Sequence, residues 1–226
     1  MKSPKNAVTQ QLSNSKNMTA IQNFWHQFEK VNLALHLLYD LPEEVALEKI
    51  ATVTTALSAY HKNLGYQIIP RPYQSEFIIT ASGNPNFFQE VELLVYHAPK
   101  LERWKITAFI QPAKNLEAYD NGTDTPMEFE GMSLRISDMY FQAFVVPEQP
   151  FQLGIKVLLK NYLILEDHPN LEEAMAIQIE QLIGEKSFAK DLAFVELAQL
   201  TNADLEDSCV LQLYLLGLFI DTFEWE

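Results

Sequence analysis

The chain has 226 residues, 48% of them apolar, which is enough to build a hydrophobic core without a metal or disulfide staple. Its 16 Lys and Arg against 30 Asp and Glu leave a net charge of −14, which repels nucleic-acid phosphates and anionic lipid headgroups. The lone cysteine, Cys209, excludes an intrachain disulfide, and there is no run of 18 apolar residues to span a membrane.

The N-terminal stretch "MKSPKNAVTQQLSNSKNM" lacks the apolar core of a signal peptide. It reads as a flexible polar tail over residues 1–17, ahead of a single domain over 18–226, and a cytoplasmic location is expected. The Asn-x-Thr triplets at Asn17 and Asn121 are then chance matches. Thr19 is expected to cap a first helix, in which Phe24, Phe28, Val31, Leu35 and Leu38 recur at helical spacing. "DLPEE" opens a second, with Pro42 in its first turn and Glu43 and Glu44 complementing the dipole. Ile50, Val53, Leu57, Tyr60 and Leu64 form its buried face, and Gly65 is expected to end it at positive φ. A short joint around Asp40 makes the two helices an antiparallel pair over 18–64.

Beyond Gly65 the period changes. "YQII" and "EFIIT" read as strands. In the stretch that follows, Asn84 suits an N-cap and Pro85 the first helical position. Phe87, Val91, Leu94 and Ala98 then share one helical face, which Phe88 and Val95 widen. The helix stops before Pro99, and "WKITAFI" returns to strand, completing a β-α-β unit. A polar connection over 112–126 carries a turn at Asn121-Gly122. "MYFQAFVVP" and "FQLGIKVLLK" form a hairpin, with Leu153, Ile155, Val157 and Leu159 on one face. "DHPNLEEAMAIQIEQLIG" is a third long helix, with Asp167 as cap, Pro169 in its first turn and Gly184 after its last. "DLAFVELAQL" fits either strand or helix and leans to strand, and "LQLYLLGLFIDTF", a dense apolar run, fits a strand or a buried helix and leans to a short buried helix. The expected class over 65–226 is therefore α+β: a mostly antiparallel sheet containing one β-α-β unit, with helices packed on one face, behind the N-terminal helix pair.

The segment "ITASGNPNFFQEVELLVYHAPKLERWKITAF", with "LIGEKSF" downstream, resembles an uncharacterised family of bacterial hypothetical proteins. The resemblance covers mainly the β-α-β unit and the region after Gly184. It implies a bacterial, cytoplasmic protein and carries over no activity and no catalytic residue.

Several chemistries fail on spacing. "ASGNPN" has one glycine and no nearby lysine, and Pro85 removes an N–H that a bound phosphate would use. The five histidines, His26, His36, His61, His97 and His168, form no H-x-x-x-H pair. Glu166, Asp167 and His168 stand together, but before Pro169, where capping explains them. Asp204, Glu206 and Asp207, like Asp120 and Asp124, lack the pattern of a calcium loop and read as solvated turns. Cys209, among apolar neighbours, is expected to be a buried inert thiol. Glu128 and Glu130 fall two apart on one strand face, between Pro126 and Gly131, which favours an exposed edge strand over an acid–base pair. Tyr73, Trp104 and Tyr140 lie on or beside the sheet as pocket or interface candidates. No catalytic residue, cofactor or metal ligand is assigned.

These features lead to the expectation of a non-catalytic, acidic protein-binding module, immunity-like or adaptor, with a cationic protein partner. Neither nucleic acid nor membrane is an expected partner, and a homodimer is compatible. The alternative is an enzyme or small-molecule binder with a pocket between helices and sheet.

Overall fold

The computed structural model describes residues 4–224, with side chains from residue 17 onward. The chain divides into two compact units, Met1–Phe109 and Ile110–Glu226, where a single domain over 18–226 is expected from sequence.

The first unit contains α1 (Pro4–His36), α2 (Glu43–Tyr60), β1 (Gly65–Ile69), β2 (Ser75–Thr80), α3 (Phe88–Tyr96) and β3 (Trp104–Ala108). Because α1 starts at Pro4, Thr19 lies inside the helix instead of capping it, and most of the stretch read as a tail falls within its span. Of the expected stripe, Phe24, Phe28, Val31 and Leu35 are buried, but Leu38 falls beyond the end of α1 at His36, half-buried in a 3-10 turn over Leu38–Asp40. Phe28 packs 4.5 Å from Phe77 and 5.2 Å from Trp104, ring centroid to centroid. Trp25 donates from Nε1 to the Leu94 carbonyl at 2.9 Å, which ties α1 to α3. The helix pair α1 and α2 packs closely.

Gly65 does not end α2. The helix stops at Tyr60, and His61 takes an extended φ of −154°. Gly65 opens β1, where a Cβ would meet Thr80 Cγ2 at 3.0 Å, so its role is close approach and not positive φ. β1 runs antiparallel and β3 parallel to the central β2, so β2–α3–β3 is the expected β-α-β unit. Asn84 Oδ1 accepts from the Asn86 N–H at 3.0 Å, capping a 3-10 turn over Pro85–Phe87. That tighter turn rotates the following face, and Phe88, with Val91 and Leu94, enters the core in place of Phe87.

Ser75 is fully buried. Its hydroxyl shares a 2.7 Å hydrogen bond with His36 Nδ1 and accepts from the Arg71 N–H at 3.1 Å. Ser75→Ala leaves both groups without their partner and is expected to lower stability by about 1 kcal/mol in urea denaturation.

The second unit opens with α4 (Glu117–Asp120) and a hairpin of β4 (Met127–Phe129) and β5 (Met132–Leu134). Next come β6 (Met139–Val145), β7 (Leu153–Leu159), α5 (Tyr162–Leu165), α6 (Leu171–Ile183) and α7 (Glu185–Asp191). β8 (Leu192–Gln199), α8 (Asn202–Glu206), β9 (Val210–Gln212) and α9 (Leu216–Thr222) complete it. The last stretch is thus a short strand followed by the expected buried helix. The four-stranded sheet has the order β8-β7-β6-β9. Leu153, Ile155, Val157 and Leu159 of β7 share one core with Met175, Ile179 and Leu182 of α6.

β7 and β8 are parallel, so α6 and α7 form a second crossover where only one was expected. Four of the six strand pairings are antiparallel, and the class is α+β as expected. At the end of α6, Gly184 takes φ 85° and ψ 151°, a region only glycine enters readily. A Cβ there would lie 2.9 Å from Pro112 Cδ. The next residue, Glu185, is fully buried; its carboxylate accepts from the Ile110 N–H at 3.3 Å and its own N–H donates to the Ile110 carbonyl at 2.9 Å.

Candidate protein interface

The residues singled out from sequence have mostly local roles. Trp104 is buried and packs on Phe28, Phe77 and His36, so it belongs to the core of its unit. Tyr73 is almost fully exposed in the loop before β2. Tyr140 is half-buried on β6, opposite Leu158 and Gln212. Glu128, on β4, accepts from the Ser133 hydroxyl at 2.7 Å. Glu130 is not on a strand: with φ 46°, followed by Gly131 at φ 85°, it forms the left-handed turn of the β4–β5 hairpin. The two carboxylates therefore do not share a strand face.

Four further expectations change. Cys209 is exposed, with its N–H bound to Asp207 Oδ1 at 2.8 Å. Asp124 is buried, its Oδ2 accepting from the Ser137 N–H at 3.3 Å, and Asp120 accepts from the Tyr214 hydroxyl at 2.6 Å. Neither aspartate is a freely solvated turn residue. Asp204 and Thr201 close a reciprocal capping box at the start of α8. At α6 the N-cap is Asn170, and it is His168, not Asp167, that binds the nearby backbone. His168 Nδ1 accepts from the Asn170 N–H at 3.3 Å, which leaves Nε2 as the donor to the Glu130 carbonyl at 3.1 Å. With both ring nitrogens so used, His168 is a structural cap. Among the described residues no group of three His, Cys, Asp or Glu is placed to hold a metal.

The four-stranded sheet of the second unit has two edge strands, β8 and β9, and the longer of them is β8, with eight residues against three. β8 is an edge of its sheet, bonded to β7 on one side. From Phe194 to Ala198, among the described residues, no backbone hydrogen bond runs to anything other than β7. An edge strand leaves every second N–H and C=O pointing outward, and that row is a template for another chain.

A groove follows this edge. Near the start of β8 it encloses about 420 Å3 between α6, α7 and the strand, with Met175, Phe188 and Leu192 in its wall. Farther along, about 580 Å3 lie between β8, Tyr162 and Pro169. Glu172, Val195 and Leu197 line both parts, so the two adjoin along the strand. Phe194 is 41% exposed on the strand itself, and α5, which abuts β8, exposes Leu163 and Ile164 at 65% and 83%.

The rim of the groove is acidic. Glu166, Glu172 and Glu196 are exposed and line it. None of the ion pairs Lys49–Glu48, Arg71–Glu76, Lys105–Glu76 and Lys160–Asp138 involves them. Lys156 lies opposite Glu196 in register, yet its ammonium sits over the Phe144 ring, 5.5 Å from the centroid. Among the described residues the site is thus a negative rim without an ion-pair partner around an apolar floor. In sequence its only signal is the alternation Phe194-Val195-Glu196-Leu197, which marks a strand with one wet face. Which strand ends up at the edge is decided by sheet order, which alternation does not encode.

Among the described residues no helix is long and apolar enough to cross a membrane. Compared with known proteins, the chain matches no family model, no curated protein and no solved structure.

Proposed function

We propose that the chain is a non-catalytic, acidic protein-binding module whose binding face is the β8 edge with its groove, and whose partner is cationic. The observation that carries this reading is the conjunction, among the described residues, of a strand edge without a partner, an apolar groove and three carboxylates that form no ion pair. Apolar surface supplies affinity, and a one-signed rim steers the partner and selects against wrong ones. The net charge of −14 adds to the same attraction at longer range. A cytoplasmic setting is part of the same proposal.

The rival reading, an enzyme or small-molecule binder, asks for enclosed, convergent titratable groups. The inner part of the groove, between helices and sheet, offers Glu172 alone among apolar walls. The outer part adds carboxylates that open to solvent and a histidine held by backbone. Binding is the function this lining serves.

The test is a photo-crosslinking residue at Phe194 in the full chain, expressed in its own cell. A discrete protein adduct is expected, reduced several-fold in the Glu166→Lys, Glu172→Lys, Glu196→Lys triple variant and by added salt. Absence of any adduct, or an adduct insensitive to both changes, would overturn the reading.

A further inference from the structure

We infer that the partner binds as an added β-strand: an extended segment with Lys or Arg at alternate positions pairs with β8 and sets its intervening apolar side chains into the groove. This rests on the binding-module reading and adds the mode and the chemistry of the ligand. The backbone of β8 is the first ground. Its outward groups between Phe194 and Ala198 have no partner among the described residues, and an extended chain is the ligand that satisfies such a row. The shape of the site is the second. The groove runs beside the strand from Leu192 to Leu197, which matches a ligand extended along it and not a compact one.

Side-chain chemistry follows from the period of a strand. Successive residues of the added segment point to opposite faces, so one set meets the Val195 and Leu197 side and the other meets the Phe194 and Glu196 side. The floor formed with Met175 and Phe188 takes apolar groups. The other set places its cations on the Glu196 side, while Glu166 and Glu172, which line the groove, add attraction that salt screens. A second copy of this chain fits poorly. Pairing β8 with β8 would bring two acidic rims together, and like charges across a strand pair are destabilising.

The probe is an eight-residue peptide of alternating lysine and valine, matched to the eight residues of β8. Two isomers carry N-methyl groups on its odd or on its even amides. In an added strand only one of these sets faces β8. One isomer is therefore expected to lose affinity ~10-fold or more while the other binds like the parent. Bound parent peptide is expected to slow amide exchange at residues 194–198. If both isomers bind like the parent, or if amide exchange in β8 is unchanged, strand addition is wrong while the acidic face stands as the binding surface. If the parent binds the Glu166→Lys, Glu172→Lys, Glu196→Lys variant as well as the unchanged chain, the acidic face itself fails. Concentration-dependent dimers in sedimentation, abolished by Glu196→Lys, would overturn the choice of a foreign strand over a second copy.

Discussion

Gly184→Ala is expected to destabilise the second unit by about 3–4 kcal/mol, seen as a lower urea midpoint by far-UV circular dichroism. Two costs act together. With φ 85° and ψ 151°, an L-residue at this position carries backbone strain of about 1–3 kcal/mol. The added methyl also lies 2.9 Å from Pro112 Cδ and 3.0 Å from Pro112 N. Neither neighbour is the flexible end of a side chain, so the backbone has to move. The move strains the reciprocal bonds between Glu185 and Ile110 and the Ala113 N–H bond to Leu182, which together hold residues 110–113 to the end of α6. Gly217, in α9, is the control. A Cβ there meets only Ile183 Cγ2 at 3.8 Å, and Gly217→Ala is expected to stabilise by roughly 0.5–1 kcal/mol. A Gly184→Ala chain as stable as the parent would refute the strain assignment.

Glu180→Gln is expected to stabilise the protein at pH 8 by about 2 kcal/mol and to have little effect at pH 4. Burial, and after it the negative Glu185 nearby, push the Glu180 carboxyl up to about 7 from an ordinary 4.5. The folded state then keeps a proton that the unfolded chain releases from pH 4.5 upward. Stability due to this group therefore falls as pH rises from 4.5 to about 7 and is level beyond. The full shift would correspond to about 3 kcal/mol, reduced here because the side chain is only half-buried. The comparison is made by urea denaturation of both chains at several pH values. Curves that stay parallel across that window would show that Glu180 titrates alike in both states.

The parts of the fold legible in sequence are those where a period of 2 or 3.6 coincides with burial. Phe24 to Leu35, Val53 and Leu57, and Leu153 to Leu159 read correctly because one face of each is in the core. The start of α1 was not legible, because residues 4–17 are polar and carry no stripe. Phe88 displaced Phe87 because a 3-10 turn, closed by Asn84, precedes the helix. Cys209 read as buried from the apolar residues after it, yet it sits in the turn that Asp207 closes. The second crossover is not legible in sequence because alternation shows that a strand exists but not which neighbour it chooses or in which direction. The candidate interface is not legible for the same reason, since it is a property of β8's position in the sheet.

Phe194 on that edge has a specific counterpart. It stands opposite Gly154 of β7, and a Cβ on Gly154 would clash with the tip of the Phe194 ring, 2.1 Å from Cζ. The glycine therefore acts as a socket that admits this aromatic at one registration of the two strands. A slip of one residue would set the ring against Leu153 or Ile155 and turn Val195 and Leu197 away from the core they pack against. The outermost strand is thus keyed from within: it can be open to a neighbour on one side without losing its alignment on the other.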